Sequence, residues 1–166
     1  MPAVSDAALR RLATRVGARL RAAGETIVTA ESCTGGFIAK CLTDLPGSSD
    51  YFDRGWITYS NVAKLTELGV EAGTLATHGA VSEAVALAMV SGALKRSKAH
   101  HSVAVTGIAG PAGGTARKPI GLVWIAWGYR HAGRNRIHAT QFRFRGSRDA
   151  VRRRTVEAAL KGLLEP

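Results

Sequence analysis

At 166 residues the chain has the length of one domain and enough sequence to bury a full core without disulfide or metal staples. Its hydrophobic residues make up 46% of the total, yet no uncharged apolar run approaches the roughly 20 residues that cross a bilayer. Lys and Arg outnumber Asp and Glu by 23 to 12, a formal net charge of +11, but no basic run is interleaved with aromatics and no nucleic-acid-binding spacing appears.

In chain order, Asp6 is positioned to cap a helix whose apolar residues Leu9, Leu12, Val16 and Leu20 share one face, with Gly24 ending it. Residues 26–30 read as a short buried strand. It runs into Glu31-Ser32-Cys33-Thr34-Gly35-Gly36 and an apolar helix through Phe37, Ile38, Cys41 and Leu42. Pro46-Gly47-Ser48-Ser49 is a loop, residues 55–59 are strand-like, and Ser60 or Asn61 caps a helix through Lys64 that Gly69 closes. His78 falls in a turn before a longer helix capped by Ser82. Residues 103–106 form a third strand that ends in the glycine-rich segment 107–114. Residues 122–129 and 136–144 pattern as a hairpin around Ala132-Gly133. In its second strand the apolar positions switch parity between Ile137 and Phe142, which predicts a bulge near Thr140-Gln141. Ser147 caps a last helix with Val151, Val156, Leu160 and Leu163. Early helix–strand alternation followed by a hairpin predicts an α/β fold: a single three-layer α/β/α domain with a mixed sheet of about five strands.

The segment Met1-Pro2-Ala3-Val4-Ser5-Asp6 lacks the basic and apolar regions of a secretory signal, and Cys33 and Cys41 have no metal-ligand spacing around them. A cytoplasmic protein with reduced thiols, no metal and no cofactor is expected. The basic balance has three readings: a solvated face, steering of a small phosphorylated substrate, or contact with nucleic acid. The last is the least supported.

Two glycine-bearing loops leave the ends of buried strands, where ligands gather in open α/β sheets. Their backbone amides can approach an anion, although neither loop is a P-loop or a dinucleotide fingerprint. Between them lie a serine pair, Ser48 and Ser49, a phenol, Tyr59, and an amine, Lys64. A serine with no histidine beside it needs another base, and a desolvated lysine can serve once its pKa falls. Spacing alone does not bring these side chains together. Cys33 precedes a helix that would stabilise a thiolate, and it also fits a small buried residue. Lys118, in Lys118-Pro119-Ile120-Gly121, sets the entry into a strand or reaches an anion.

Several segments stand together and in order: Ala30-Glu31-Ser32-Cys33-Thr34-Gly35-Gly36, Pro46-Gly47-Ser48-Ser49, Thr58-Tyr59-Ser60-Asn61, His78-Gly79-Ala80-Val81-Ser82 and Val105-Thr106-Gly107-Ile108-Ala109-Gly110-Pro111. With Gly113-Gly114-Thr115 and Lys118-Pro119-Ile120-Gly121, this set resembles the CinA carboxy-terminal domain family over nearly the whole chain. The resemblance implies a stand-alone amidohydrolase that converts nicotinamide mononucleotide to nicotinate mononucleotide and ammonia in pyridine nucleotide salvage, by a metal-free serine–lysine mechanism. Carried onto this chain, it implies Ser49 as nucleophile, Lys64 as base and Tyr59 as helper, with Ser48 and Ser32 as rival nucleophiles. It also implies a substrate pocket of Ser32, Thr34, Gly35, Gly36, Ser48, Thr106, Gly107, Ala109 and Gly110. A homodimer is expected, since small enzymes commonly pair. Val62 departs from the glutamate expected in many relatives. A non-catalytic nucleotide- or DNA-associated accessory protein is the alternative.

Overall fold

The computed structural model describes residues 4–165. Met1, Pro2 and Ala3, part of the segment read for a signal, and Pro166 lie outside the described residues. The elements are α1 (Asp6–Ala23), β1 (Ile27–Glu31), α2 (Phe37–Thr43), a 3-10 turn (Ser48–Asp50), β2 (Phe52–Ile57), α3 (Asn61–Leu68), α4 (Ala72–His78), α5 (Glu83–Lys95), β3 (His101–Gly107), β4 (Leu122–His131), β5 (Arg134–Arg143) and α6 (Arg148–Gly162). The five strands form one sheet in the order β2-β1-β3-β4-β5. β1 runs parallel to both β2 and β3, while β4 and β5 are antiparallel additions, so the sheet is mixed.

Helices cover both faces because the inner strands are apolar on both. On one face Val16 and Leu20 of α1, Ile38 and Leu42 of α2, and Val156 and Leu160 of α6 pack against Val103, Val105, Val123 and Ile125. On the other, Val85, Met89 and Val90 of α5 and Leu68 of α3 pack against Val28, Ala30, Ala104 and Ala126. The alanines on that face let α5 sit close. Gly92 lets α3 come closer still, since a β-carbon there would stand 2.0 Å from the Leu68 carbonyl oxygen.

Four local expectations differ from the structure. Ser5, not Asp6, caps α1, its hydroxyl accepting from the Ala8 amide at 3.2 Å, while Asp6 is the first helical residue. His78 closes a short helix, α4, which no side-chain cap marks in the sequence. β2 begins at Phe52, three residues earlier than its apolar pattern suggests. The bulge expected near Thr140-Gln141 is absent, because β4 and β5 pair one-to-one from Leu122↔Arg143 to His131↔Arg134. The parity switch reflects two covered faces instead: Ala139 packs toward α5, whereas Phe142 packs toward α6. The hairpin turn does fall at Ala132 and Gly133, whose φ angles of 49° and 75° suit a tight turn that follows the strand twist.

Candidate active site

The carboxyl ends of the three parallel strands meet beside α3. Glu31, the last residue of β1, is fully buried, and its carboxylate organises the loop that follows. One oxygen accepts from the Thr34 hydroxyl at 2.6 Å and from the Gly36 and Ile38 amides at 3.1 and 3.0 Å; the other accepts from the Ala39 amide at 2.8 Å. Gly35 and Gly36, at φ 60° and 94°, allow the chain to curl around this carboxylate. Ser32 is held at the base of the curl, its amide donating to the Val105 carbonyl at 3.1 Å.

Lys64 reaches this loop from α3. Ser60 caps that helix, accepting from the Ala63 amide at 3.0 Å, and one turn later Lys64 points inward with 1% exposure. Its Nζ donates to the Thr58 carbonyl at 2.7 Å, the Tyr59 carbonyl at 3.3 Å and the Ser32 hydroxyl at 3.1 Å. No carboxylate contacts the amine among the described residues, and burial holds its pKa below the ordinary lysine value. A neutral amine has two N–H donors and one lone pair. Once the amine is neutral, the two carbonyls take both of its donors and the contact with Ser32 reverses, the lone pair then facing the hydroxyl.

The structure therefore brings Ser32, and not Ser49, to Lys64. Ser49 is exposed on the 3-10 turn just before β2, and Phe52 pairs with Ile27 at the first residue of β1. Ser32 lies one residue past the last of β1, so the five-residue strand, about 16 Å long, separates the two serines. A Ser49–Lys64 pair cannot form in this fold. Ser48 lies at the same far end and donates to the Thr43 carbonyl at 3.4 Å.

The remaining candidates divide by what they touch. The Tyr59 side chain is 56% exposed, and its hydroxyl accepts from Arg148 Nη2 at 2.6 Å, so its contact with Lys64 is through its backbone carbonyl alone. The Thr34 hydroxyl is committed to Glu31 and the Thr106 hydroxyl to the Ala80 carbonyl at 2.8 Å, so neither offers its proton to a ligand. Gly107 is required by the sheet, since a β-carbon would meet Val123 at 2.7 Å. Ala109 is buried in the core, and the Gly110 carbonyl accepts from Arg148 Nη1 at 2.8 Å. Cys33 is buried and its thiol is pushed up to about 12, which removes it as a thiolate.

Two arginines of α6 complete the surroundings. Arg148 bridges Tyr59 and Gly110, while Arg152 donates to the Thr34 carbonyl at 2.7 Å and lies over the Phe37 ring. The apolar stripe of this helix is plain in the sequence, whereas the role of its two arginines is not. The i,i+4 spacing of Arg148 and Arg152 at a helix start was the available signal.

Fold and site together define an α/β protein whose parallel strands converge on a desolvated lysine–serine pair. The model of the CinA C-terminal domain matches residues 9–166, and the chain belongs to that family. It is 49% identical over 161 residues to the nicotinamide-nucleotide amidohydrolase PncC of Escherichia coli K12, covering 96% of this chain and 95% of the relative. The protein of the same name from Pseudomonas putida is 50% identical over 154 residues, covering 93% and 94%. The crystal structure of the competence/damage inducible protein CihA from Agrobacterium tumefaciens superposes with a TM-score of 0.89 at 46% identity, covering 99% of this chain and 97% of that one. Among the described residues, no helix is long and apolar enough to cross a membrane.

Proposed function

We propose that the protein hydrolyses the carboxamide of nicotinamide mononucleotide to nicotinate mononucleotide and ammonia, with Ser32 as nucleophile and Lys64 as its base. The observation that carries this reading is the buried Lys64 amine on the Ser32 hydroxyl, in a chain about half identical to nicotinamide-nucleotide amidohydrolases over nearly their full length. Neutral Lys64 takes the proton as Ser32 Oγ attacks the carboxamide carbon. The amides of Ser32, Gly35, Gly36 and Phe37 are already committed within the fold and Thr34 is fully buried, so the amide of Cys33, next to Ser32, receives the oxyanion. Protonated Lys64 then gives its proton to the departing nitrogen, which leaves as ammonia. Water, deprotonated by the same amine, releases the acid from Ser32. Tyr59 and Arg148 stand at the mouth, where the phenol orients substrate and the guanidinium meets the phosphate.

The same reading takes the enzyme to be cytoplasmic, supported by two buried, unpaired cysteines. It also takes the enzyme to be a homodimer, supported by exposed Ile57, Tyr59 and Val62 at one corner of the molecule. The deciding experiment is ammonia release from nicotinamide mononucleotide by the purified protein. Turnover with one ammonia per nicotinate mononucleotide is expected, and its absence under any substrate concentration rejects the reading.

A further inference from the structure

Two of the motif segments play no part in the serine–lysine chemistry: residues 78–82 and 118–121. The fold brings them together. Lys118 Nζ donates to the carbonyl of His78, the last residue of α4, at 2.6 Å. Gly79, at φ 72°, makes room for this contact, because a β-carbon there would lie 2.9 Å from the ammonium nitrogen. The two segments form one wall of a cleft of about 450 Å³. The opposite wall is the sheet, where Trp124 pairs with Gln141 and Leu122 with Arg143. The start of α5, at Ser82 and Glu83, closes one side, and Arg117 stands on the rim.

We propose that this cleft is a second ligand site, apart from the Ser32–Lys64 pair, and that it takes a nucleoside phosphate. Its volume falls in the range of small-molecule sites. β4 is the second neighbour of β1, so the cleft lies about 10 Å across the sheet from Ser32. Cations dominate the lining: Arg117, Lys118 and Arg143 face the single carboxylate of Glu83. Lys118 is held by His78, which leaves the exposed guanidinium groups of Arg117 and Arg143 for a phosphate, with the fork geometry that suits it. The half-buried Trp124 offers a flat ring for a base to stack on, and the exposed Gln141 amide can both donate to and accept from a base edge. Phosphate alone would need only the arginines. The tryptophan and the amide beside them select an attached base.

The probe is adenosine triphosphate, titrated calorimetrically into the full-length protein, with adenosine and inorganic pyrophosphate in parallel. Saturable binding of the triphosphate is expected, with both fragments at least tenfold weaker. Arg117→Ala/Arg143→Ala should weaken it at least tenfold while leaving kcat for nicotinamide mononucleotide unchanged, and both side chains are exposed, so the fold survives. Trp124→Leu should weaken it similarly, and Ser32→Ala should bind as well as the wild type. Absence of saturable binding overturns the proposal, as does an affinity indifferent to the arginine pair. Pyrophosphate binding as tightly as the triphosphate overturns the nucleoside assignment. Competition by nicotinamide mononucleotide would place the ligand in the Ser32–Lys64 site and overturn the second site. Ammonia release is read separately, so failure here leaves the amidohydrolase reading standing.

Discussion

Among the described residues Lys64 has lost its water without gaining a carboxylate, and that imbalance suits it to act as a base. Burial lowers its pKa, so the neutral amine required for attack becomes accessible below the usual lysine range of about 10.4. The acidic limb of the kcat/KM profile should rise with pH as Lys64 loses its proton, with a midpoint below that value. Lys64→Arg, which stays protonated, should lower activity throughout and remove this limb. Ser32→Ala and Lys64→Ala should each cost about three orders of magnitude in kcat, and the double variant should be little worse, because both residues serve one chemical step. Ser49→Ala should keep nearly full activity, since that hydroxyl sits at the opposite end of β1. An inactive Ser49→Ala with an active Ser32→Ala would reverse the assignment. The three serines look alike in sequence, each in a glycine-bearing loop beside a predicted strand. Which end of the strand each loop joins decides between them, and that depends on how β1 and β2 pair.

At the scale of elements, two buried contacts set the Lys64–Ser32 distance. One is the Glu31 carboxylate that gathers the loop from Thr34 to Ala39, and the other is the close approach of α3 to α5 at Gly92. Glu31→Gln keeps the shape but replaces an acceptor oxygen with a donor facing amides. It should cost about 2–3 kcal/mol of stability, the scale of a hydrogen bond to a charged group, and reduce turnover as the loop loosens. Gly92→Ala forces a methyl onto the Leu68 carbonyl and should cost about 1–3 kcal/mol, read as a lower melting temperature. An unchanged melting temperature in either variant would show that these contacts do not hold the site. Most of this framework was legible in sequence because α1, α2, α5 and α6 carry regular apolar stripes and β1 and β3 are short apolar runs. α4 is not legible in the sequence, since it is one short helix with no capping side chain and no buried residue. The start of β2 is not legible either, because an edge strand with Asp53 and Arg54 exposed shows no alternation. Glu31 stands in a recognisable motif, but its role as the loop's organiser appears only once the amides it accepts from are placed around it.

For the whole molecule, charge acts on stability and on substrate capture in separable ways. His101 is buried at the start of β3, and its Nε2 lies 2.6 Å from a Glu25 oxygen. Burial outweighs the carboxylate and lowers the pKa of His101, while the hydrogen bond from His101 lowers that of Glu25. For both groups the unfolded chain binds more protons than the fold, so stability falls as pH falls. The loss should begin near pH 6.5 with His101 and continue below about 4.5 with Glu25. His101→Gln should flatten the first part of a melting-temperature profile; an unaltered slope there would exclude the pair. Capture depends on the cations instead. With a net charge of +11 and Arg148 and Arg152 beside the Ser32 loop and Tyr59, the field around the candidate site favours an anionic substrate. Nicotinamide mononucleotide and nicotinamide riboside present the same carboxamide to Ser32 and differ by the phosphate. Losing a charge-assisted phosphate contact should cost on the order of 3 kcal/mol, about two decades in kcat/KM. Raising salt from 50 to 500 mM shrinks the Debye length from about 14 to about 4 Å. The kcat/KM for the mononucleotide should then fall several-fold with kcat nearly constant, while that for the riboside should not fall. Arg148→Ala should bring the two substrates closer together and reduce the salt effect, because it removes the guanidinium that holds the Tyr59 hydroxyl. Equal salt dependence for both substrates would mean that the positive surface contributes to solubility alone.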